Sequence, residues 1–345
     1  MDNDNFYAKY YNYNMKRVLI TGAAGFIGSH LTEYFVKKNF KVTVFDRYNS
    51  FNSFGWLNNL GLKKTKFILG DIRDFDSVNN AVKNQDIVIH LAALIGIPYS
   101  YVSPAAYIKT NIEGTYNVLE ASRINKIQQV LITSTSETYG TAQTYKISED
   151  HPLNAQSPYA ATKIAADQLA LSYFKSFNTP VKIIRPFNTY GPRQSLRAVI
   201  PTIICQAINS NIIKIGNLDT SRDLTYVQDT CEGFYNILRS NKLFGEVINI
   251  GSDNNYTILD LIKKVSIILD KKFIIKKIPE RIRPSKSEVY RLRCDNKKIK
   301  KFTNWQPKFH NNKKFDIGLE NTIKWFSNEN NIKFYNKEIL NTYNV

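Results

Sequence analysis

Tyr159 and Lys163 stand four residues apart in Ser157-Pro158-Tyr159-Ala160-Ala161-Thr162-Lys163, so on a helix the phenol and the ammonium share one face. A free tyrosine has a pKa of about 10 and a nearby cation favours its phenolate, so the pair can act as a base toward an alcohol near neutral pH. A second run, Thr133-Ser134-Thr135-Ser136-Glu137-Thr138-Tyr139-Gly140, gathers hydroxyls and a carboxylate. Thr135 could share a substrate hydroxyl with Tyr159, and Glu137 could pull a proton from carbon. Taken alone, the run also reads as a Ser/Thr-rich turn with a solvated glutamate.

A third feature is Thr21-Gly22-Ala23-Ala24-Gly25-Phe26-Ile27-Gly28, a GxxGxxG between an apolar strand and a helical pattern. Glycine there permits the tight turn, lets the backbone approach a pyrophosphate and lets the helix pack on the strand, while the helix start offers free N–H groups to the anion. Asp46, about twenty residues on at the end of the second strand, is where a ribose diol would hydrogen-bond. Its charge repels a 2′-phosphate, so NAD is the expected cofactor, with Arg47 read either as a partner for that phosphate or as a surface residue. Asp71 and Ile72 follow the third strand at the rim where an adenine would lie; Asp71 reads equally as a helix cap.

The elements that must hold these groups are legible as short β-branched runs at 17–21, 41–45, 67–69, 87–91, 130–133 and 181–185. Helical spacing fills the gaps, as with Ile27, Leu31 and Tyr34, or Ile108, Ile112, Thr115 and Leu119. Runs this apolar need cover on both faces, which predicts an α/β fold with a doubly wound parallel sheet, the Rossmann arrangement. The run at 246–251 reads as a strand that rejoins the sheet. The expected organisation is a lead-in over 1–15, a dinucleotide domain over 16–187 joined by 224–252, and a smaller interleaved C-terminal substrate domain from 188–223 and 253–345.

The 345 residues carry a net charge of +18, but as scattered lysines without an arginine stripe or reading motif, so nucleic acid is not an expected partner. Cys205, Cys231 and Cys294 lie too far apart for a local metal or disulfide motif. No metal is expected. The first fourteen residues lack a secretory pattern, and the apolar stretch near 87–108 is broken by Pro98 and Pro104, so the expectation is a cytoplasmic chain with no membrane span. His90 and His30 read as packed histidines.

The motifs GAAGFIG at 22–28, HLAA at 90–93, NIEGTYNVLEA at 111–121, TSETYG at 135–140 (without Ser134), SPYAATK at 157–163, RPFNTYGPRQ at 185–194 and RDLTYVQD at 222–229 occur in one order. In them the chain resembles the extended short-chain dehydrogenase/reductases, specifically the nucleotide-sugar epimerase/dehydratase branch. The resemblance implies NAD held by Gly22, Gly25, Phe26, Ile27, Gly28, Asp46, Asp71, Ile72, Leu91, Ala92, Ala93, Tyr159 and Lys163. It implies a catalytic group of Thr135, Ser136, Glu137, Tyr159 and Lys163, and a nucleotide-sugar substrate held by Asn188, Arg193, Arg222 and Arg291. Arg281, Arg283 and Arg293 crowd the last of these.

An acidic residue at Glu137 is the mark of 4,6-dehydratases, where it removes the C5 proton; many dehydratases carry Asp where this chain has Ser136. The segments 185–204 and 221–230 look closest to dehydratases of legionaminic-acid-type biosynthesis, which act on a UDP- or GDP-activated N-acetylglucosamine and give a 4-keto-6-deoxy sugar. TSETYGTA at 135–142, SEDHPLNAQSPYAATK and YNSFNSFGWL at 48–57 strengthen that match. The alternatives are a UDP-glucuronate decarboxylase, which shares the T-S-E triplet, a 4-epimerase, and a nonenzymatic NAD sensor, a class that tends to lose the tyrosine or lysine. The resemblance also implies a homodimer through helices near 111–123 and 159–174.

Overall fold

The computed structural model describes residues 16–62, 65–333 and 335; the expected lead-in over 1–15 lies outside them. Seven parallel strands form one sheet: β1 (Arg17–Thr21), β2 (Lys41–Arg47), β3 (Lys66–Gly70), β4 (Ile87–His90), β5 (Gln129–Thr133), β6 (Val181–Pro186) and β11 (Val247–Ile250), in the order β11-β6-β5-β4-β1-β2-β3. Alternation within β1 shows why it is sandwiched. Val18 and Ile20 enter the core with Leu31 and Phe35, whereas Leu19 faces Val78, Val118 and Val130 on the other side. Helices α1 (Phe26–Lys37), α2 (Phe75–Val82), α3 (Gly114–Ile124), α4 (Pro158–Phe177) and α6 (Val227–Arg239) cover the two faces. The strands read from sequence are all present, with ends displaced by one or two residues where the terminal pairing sets them.

Only Phe187 separates β6 from β7 (Asn188–Tyr190), which leaves the sheet and pairs with β10 (Leu224–Tyr226). Beyond lie β8 (Ile212–Ile215), β9 (Ser221–Arg222), β12 (Tyr256–Thr257), β13 (Ile274–Lys277) and β14 (Arg291–Leu292), with helices α5 (Val199–Asn209), α7 (Ile258–Leu269) and α8 (Asn312–Phe326). These pack a separate core around Ile203, Ile213, Leu261 and Phe315.

One helical expectation differs. The segment spaced by Ile108, Ile112, Thr115 and Leu119 is not a single regular helix, because Ile108–Glu113 winds as a π-helix before α3. The wider turn accompanies an inward Asn111, whose amide accepts from Leu94 N at 2.8 Å and donates to Leu94 O at 2.9 Å and Thr162 Oγ1 at 3.1 Å. Ile108 is left 48% exposed instead of covering the sheet.

His90, at the end of β4, spans Thr21 Oγ1 at 2.8 Å and Thr115 Oγ1 at 3.1 Å in the core. Burial, aided by the Lys163 charge, pushes its pKa down to about 3. The folded value lies below the unfolded one of about 6.5, so this group's stability is fully present above that pH and is lost as the pH falls toward 3. Between about pH 7.5 and about pH 5 it should cost the native protein about 2 kcal/mol. A His90→Asn variant should be less stable near neutrality yet lose less on that acidification. Equal acid sensitivity of the two proteins in thermal denaturation would assign the effect to another group.

Candidate active site

The glycine loop joins β1 to α1. Gly22 has φ +68°, and a Cβ on it would stand 2.7 Å from Ala92 N; a Cβ on Gly28 would stand 2.2 Å from the Gly22 carbonyl oxygen. Gly25 differs, because its Cβ would meet only that same oxygen, at 3.3 Å. It opens α1 with no side-chain cap and no acidic residue in the first turn, so bare N–H groups head the helix, a surface that fits a dinucleotide pyrophosphate. Phe26 and Ile27, half-buried, pack α1 against the sheet.

Asp46 reaches back to the loop, its carboxylate accepting from Ala24 N at 2.7 Å and Arg47 N at 2.8 Å. Burial pushes its pKa up against the pull of those two bonds. Leu91 N and Ala92 N donate to the carbonyl and hydroxyl of Thr21, which holds the 91–93 segment, with Ala93, beside Gly22. Asp71 pairs with Arg73 at 2.5 Å, which draws its pKa down. The cap of α2 is Asp74 rather than Asp71. The Ile72 side chain is buried in the sheet core under Gly114, so what it offers a nucleotide is backbone.

Helix α4 begins at Ser157, whose hydroxyl accepts from Ala160 N at 3.1 Å, with Pro158 at the first helical position. That start fixes Tyr159 and Lys163 on the inner face, both buried. Burial pushes the phenol up, the nearby Thr135 hydroxyl pulls it back, and the Glu137 charge raises it again. The ammonium expected to govern the phenol is turned elsewhere: Lys163 Nζ donates to Thr133 O at 2.6 Å, and burial lowers its pKa to about 8 while Asp167 holds it up.

Asp167 and Arg185 were not singled out from the sequence. The Asp167 carboxylate accepts from Ser134 Oγ at 2.8 Å and from Arg185 Nε at 3.0 Å and Nη2 at 2.8 Å. The available signal was a Tyr-Lys-Asp series at 159, 163 and 167, one face of α4 at successive four-residue steps. Directly after β5, a 3-10 turn (Ser136–Tyr139) is capped by Thr135, whose Oγ1 accepts from Glu137 N at 3.2 Å. Ser136 is buried, and Glu137 is half-buried.

Glu137 lines a cavity of about 240 Å³ with Asn188 and Arg222. Asn188 Oδ1 is buried there without a hydrogen-bond partner among the described residues. Arg222, also buried, donates to Ser221 O at 3.0 Å and lies 3.8 Å from the Glu288 carboxylate, which is 3.9 Å from Arg283. Burial lowers the Arg222 pKa, while the Glu137 and Glu288 charges oppose that.

Arg193 and Arg291 do not line this cavity. Arg193 pairs with Glu33 of α1 at 2.6 Å, and Arg291 donates to Thr144 O at 2.8 Å. Arg197, Arg281, Arg283 and Glu288 stand on the wall instead. The arginine-rich run near 281–293 marked the region, but the parallel pairing of β14 with β9 decides which side chains turn inward.

Among the described residues there is no group of three or more metal-ligating side chains, and no helix long and apolar enough to cross a membrane. A parallel sheet with a bare glycine loop at the head of α1 and a buried Tyr–Lys pair on α4 is the framework of a dinucleotide-dependent enzyme.

Residues 19–316 match the family model described as GDP-mannose 4,6 dehydratase. The chain is 36% identical over 271 residues to the dTDP-D-glucose 4,6-dehydratase of Dictyostelium discoideum, covering 73% of this chain but 62% of that protein, less than two thirds of its length. It is 33% identical over 322 residues to the UDP-N-acetyl-alpha-D-glucosaminuronate decarboxylase of Bacillus cytotoxicus, covering 90% of this chain and 98% of that one. DesIV, a dTDP-glucose 4,6-dehydratase from Streptomyces venezuelae solved with NAD and TYD bound, superimposes with a TM-score of 0.83 at 26% identity, covering 92% of this chain and 98% of that one. The chain therefore belongs to the GDP-mannose 4,6-dehydratase family, among the NAD-dependent nucleotide-sugar dehydratases and epimerases of the extended short-chain dehydrogenase/reductases.

The second and third glycines should separate experimentally. Gly28→Ala drives a methyl into backbone and should lower the melting temperature sharply, whereas Gly25→Ala should melt close to wild type yet bind NAD about tenfold more weakly. Wild-type NAD affinity in the Gly25 variant, measured by calorimetric titration, would remove the loop from the pyrophosphate site.

Proposed function

We propose that the protein is a 4,6-dehydratase that converts a nucleotide-activated hexose, UDP- or GDP-N-acetylglucosamine, to its 4-keto-6-deoxy derivative. The observation that carries this reading is the Glu137 carboxylate on the cavity wall with Asn188 and Arg222, close enough to Tyr159 to perturb its phenol. The names of the Dictyostelium and Streptomyces relatives support it.

NAD, when bound, accepts a hydride from C4 and returns it to C6. Thr135 orients the 4-hydroxyl and Tyr159 takes its proton, while the Lys163 ammonium stands one turn along the same helix, held by Thr133 O. The C4 ketone acidifies C5–H, and Glu137 takes that proton. The C5 electron pair becomes the C5–C6 double bond as the C6–O bond breaks. Glu137 then passes the proton it has taken to the departing hydroxyl, which leaves as water. After hydride reaches C6, C5 takes a proton from solvent and Tyr159 gives up to solvent the 4-hydroxyl proton it took, so the sum is loss of one water without net oxidation. Arg222 and Arg283, with Asn188, hold the diphosphate and sugar.

The same reading makes the protein a cytoplasmic homodimer, consistent with three free, buried cysteines and with exposed Tyr116, Ile124 and Phe177 on and beside the outer faces of α3 and α4. Decarboxylation is the second reading, favoured by the Bacillus relative.

A panel of UDP-, GDP-, CDP- and dTDP-sugars in deuterated water, followed by NMR, tests the choice. Deuterium at C5 with loss of the 6-hydroxyl is expected, and CO2 release from a uronate substrate would select the decarboxylase. Glu137→Gln should retain C4 oxidation while water loss slows about 10²- to 10⁴-fold; full turnover in that variant would strip Glu137 of its role.

A further inference from the structure

The segment 48–59 opens the connection from β2 to β3, two residues after Asp46, and has no part in the reaction above. It is a rigid loop. The Asn49 side chain brackets Ser53, accepting from its N–H at 2.9 Å and donating to its carbonyl at 2.8 Å, and Asn58 Oδ1 accepts from Phe54 N at 2.8 Å. A 3-10 turn (Gly55–Asn59) drops Leu57 into the sheet core. Gly55, at φ +54°, lies so near the glycine loop that a Cβ on it would stand 3.0 Å from the Ala24 carbonyl oxygen.

Trp56 does not join that core. Its indole meets Trp325, near the end of α8, edge-on with ring centroids 5.3 Å apart, and Tyr335 at 5.5 Å. Tyr335 in turn donates its hydroxyl to Gln194 O at 2.9 Å, and Gln194 lines the cavity. The C-terminal stretch carrying Trp325 and Tyr335 thus meets the indole one residue from the glycine that rests on Ala24. Ala24 is the residue whose N–H Asp46 holds.

We propose that Trp56 is a positioning residue for the dinucleotide: packed on Trp325 and Tyr335, it presses the 48–59 loop against Ala24 and so fixes the wall beside Asp46 on the adenosine side of the site. This rests on the dinucleotide site being where the glycine loop and Asp46 place it. A bulky aromatic suits this place because its ring meets both Trp325 and Tyr335, and an alanine would lose both contacts and leave Gly55, with its permissive backbone, free to lift from Ala24.

Calorimetric titration of the full chain, freed of dinucleotide, with NAD is the test. Trp56→Ala should raise the NAD dissociation constant about tenfold, and Trp56→Phe, which keeps a ring in the gap, should recover most of the loss. Wild-type NAD affinity in a folded Trp56→Ala protein overturns the proposal, as does a failure of phenylalanine to rescue. If the alanine variant does not fold, Trp325→Leu carries the test, with an expected rise of about threefold, and an unchanged constant there overturns it equally. A wild-type chain that takes up no NAD would instead sink the dinucleotide site itself, a separate failure.

Discussion

Everything at the reactive end of the sheet depends on one carboxylate kept in the dry interior between α4 and two strands. Asp167 accepts from Ser134 at the end of β5 and from the Arg185 guanidinium on β6, and its charge sustains the Lys163 ammonium one turn earlier on its own helix. Arg185 lies over the Tyr139 ring, which closes the turn that carries Glu137. Breaking a buried pair of this kind leaves an uncompensated charge and costs about 3–5 kcal/mol, so the array is held as a unit. Tyr159, Lys163, Thr135 and Glu137 therefore share a frame whose rigidity comes from residues that touch no substrate.

Within that frame the charges are arranged in competition. Glu137 raises the phenol it sits near, which hinders the first proton transfer, and it also favours the cationic form of Arg222 across the cavity. A site that only oxidised and reduced C4 would gain from removing this carboxylate. The dehydration proposed above accounts for its presence by a later step that needs a base at C5, and the nearby Thr135 hydroxyl offsets part of its effect on the phenol. Arg222 has a second acidic neighbour in Glu288 at 3.8 Å, too long for a direct hydrogen bond, so its donors are not saturated by protein and remain suited to phosphate oxygens.

The sheet and the glycine loop were readable in the sequence because both are local: strand periodicity and glycine spacing depend on neighbours in the chain. Gly22 and Gly28 are required by backbone contacts within or beside the loop, as their spacing implied. The cavity was less readable because its wall is assembled from side chains whose direction is set by long-range pairing. Arg193 lies in a motif with Asn188, yet its positive φ of 69° turns it onto α1 and Glu33, while Asn188 faces the cavity. Arg291 and Arg283 are eight positions apart in the same basic run, and only the second reaches the wall. Asp167 was hidden for a different reason: on composition alone, an aspartate within a helix reads as surface, and its partner Arg185 lies in a strand eighteen residues away.

The way the chain leaves and re-enters the sheet explains why the two binding regions cannot be treated separately. After β6 a single residue leads to β7, and the chain builds α5, β8, β9 and β10 before α6 and β11 return to pair with β6. Asp223, next to Arg222, then accepts from the backbone amides of Ser252 and Asp253, just past β11, and of Cys294, just past β14. Burial pushes its pKa up to about 7, against three backbone amides that favour the anion. One carboxylate thus pins the cavity arginine to the edge strand of the dinucleotide sheet and to the C-terminal stretch that supplies Glu288 and Arg283. Any movement of that edge strand must move Arg222, so the position of the proposed diphosphate site is inherited from the sheet that carries the dinucleotide.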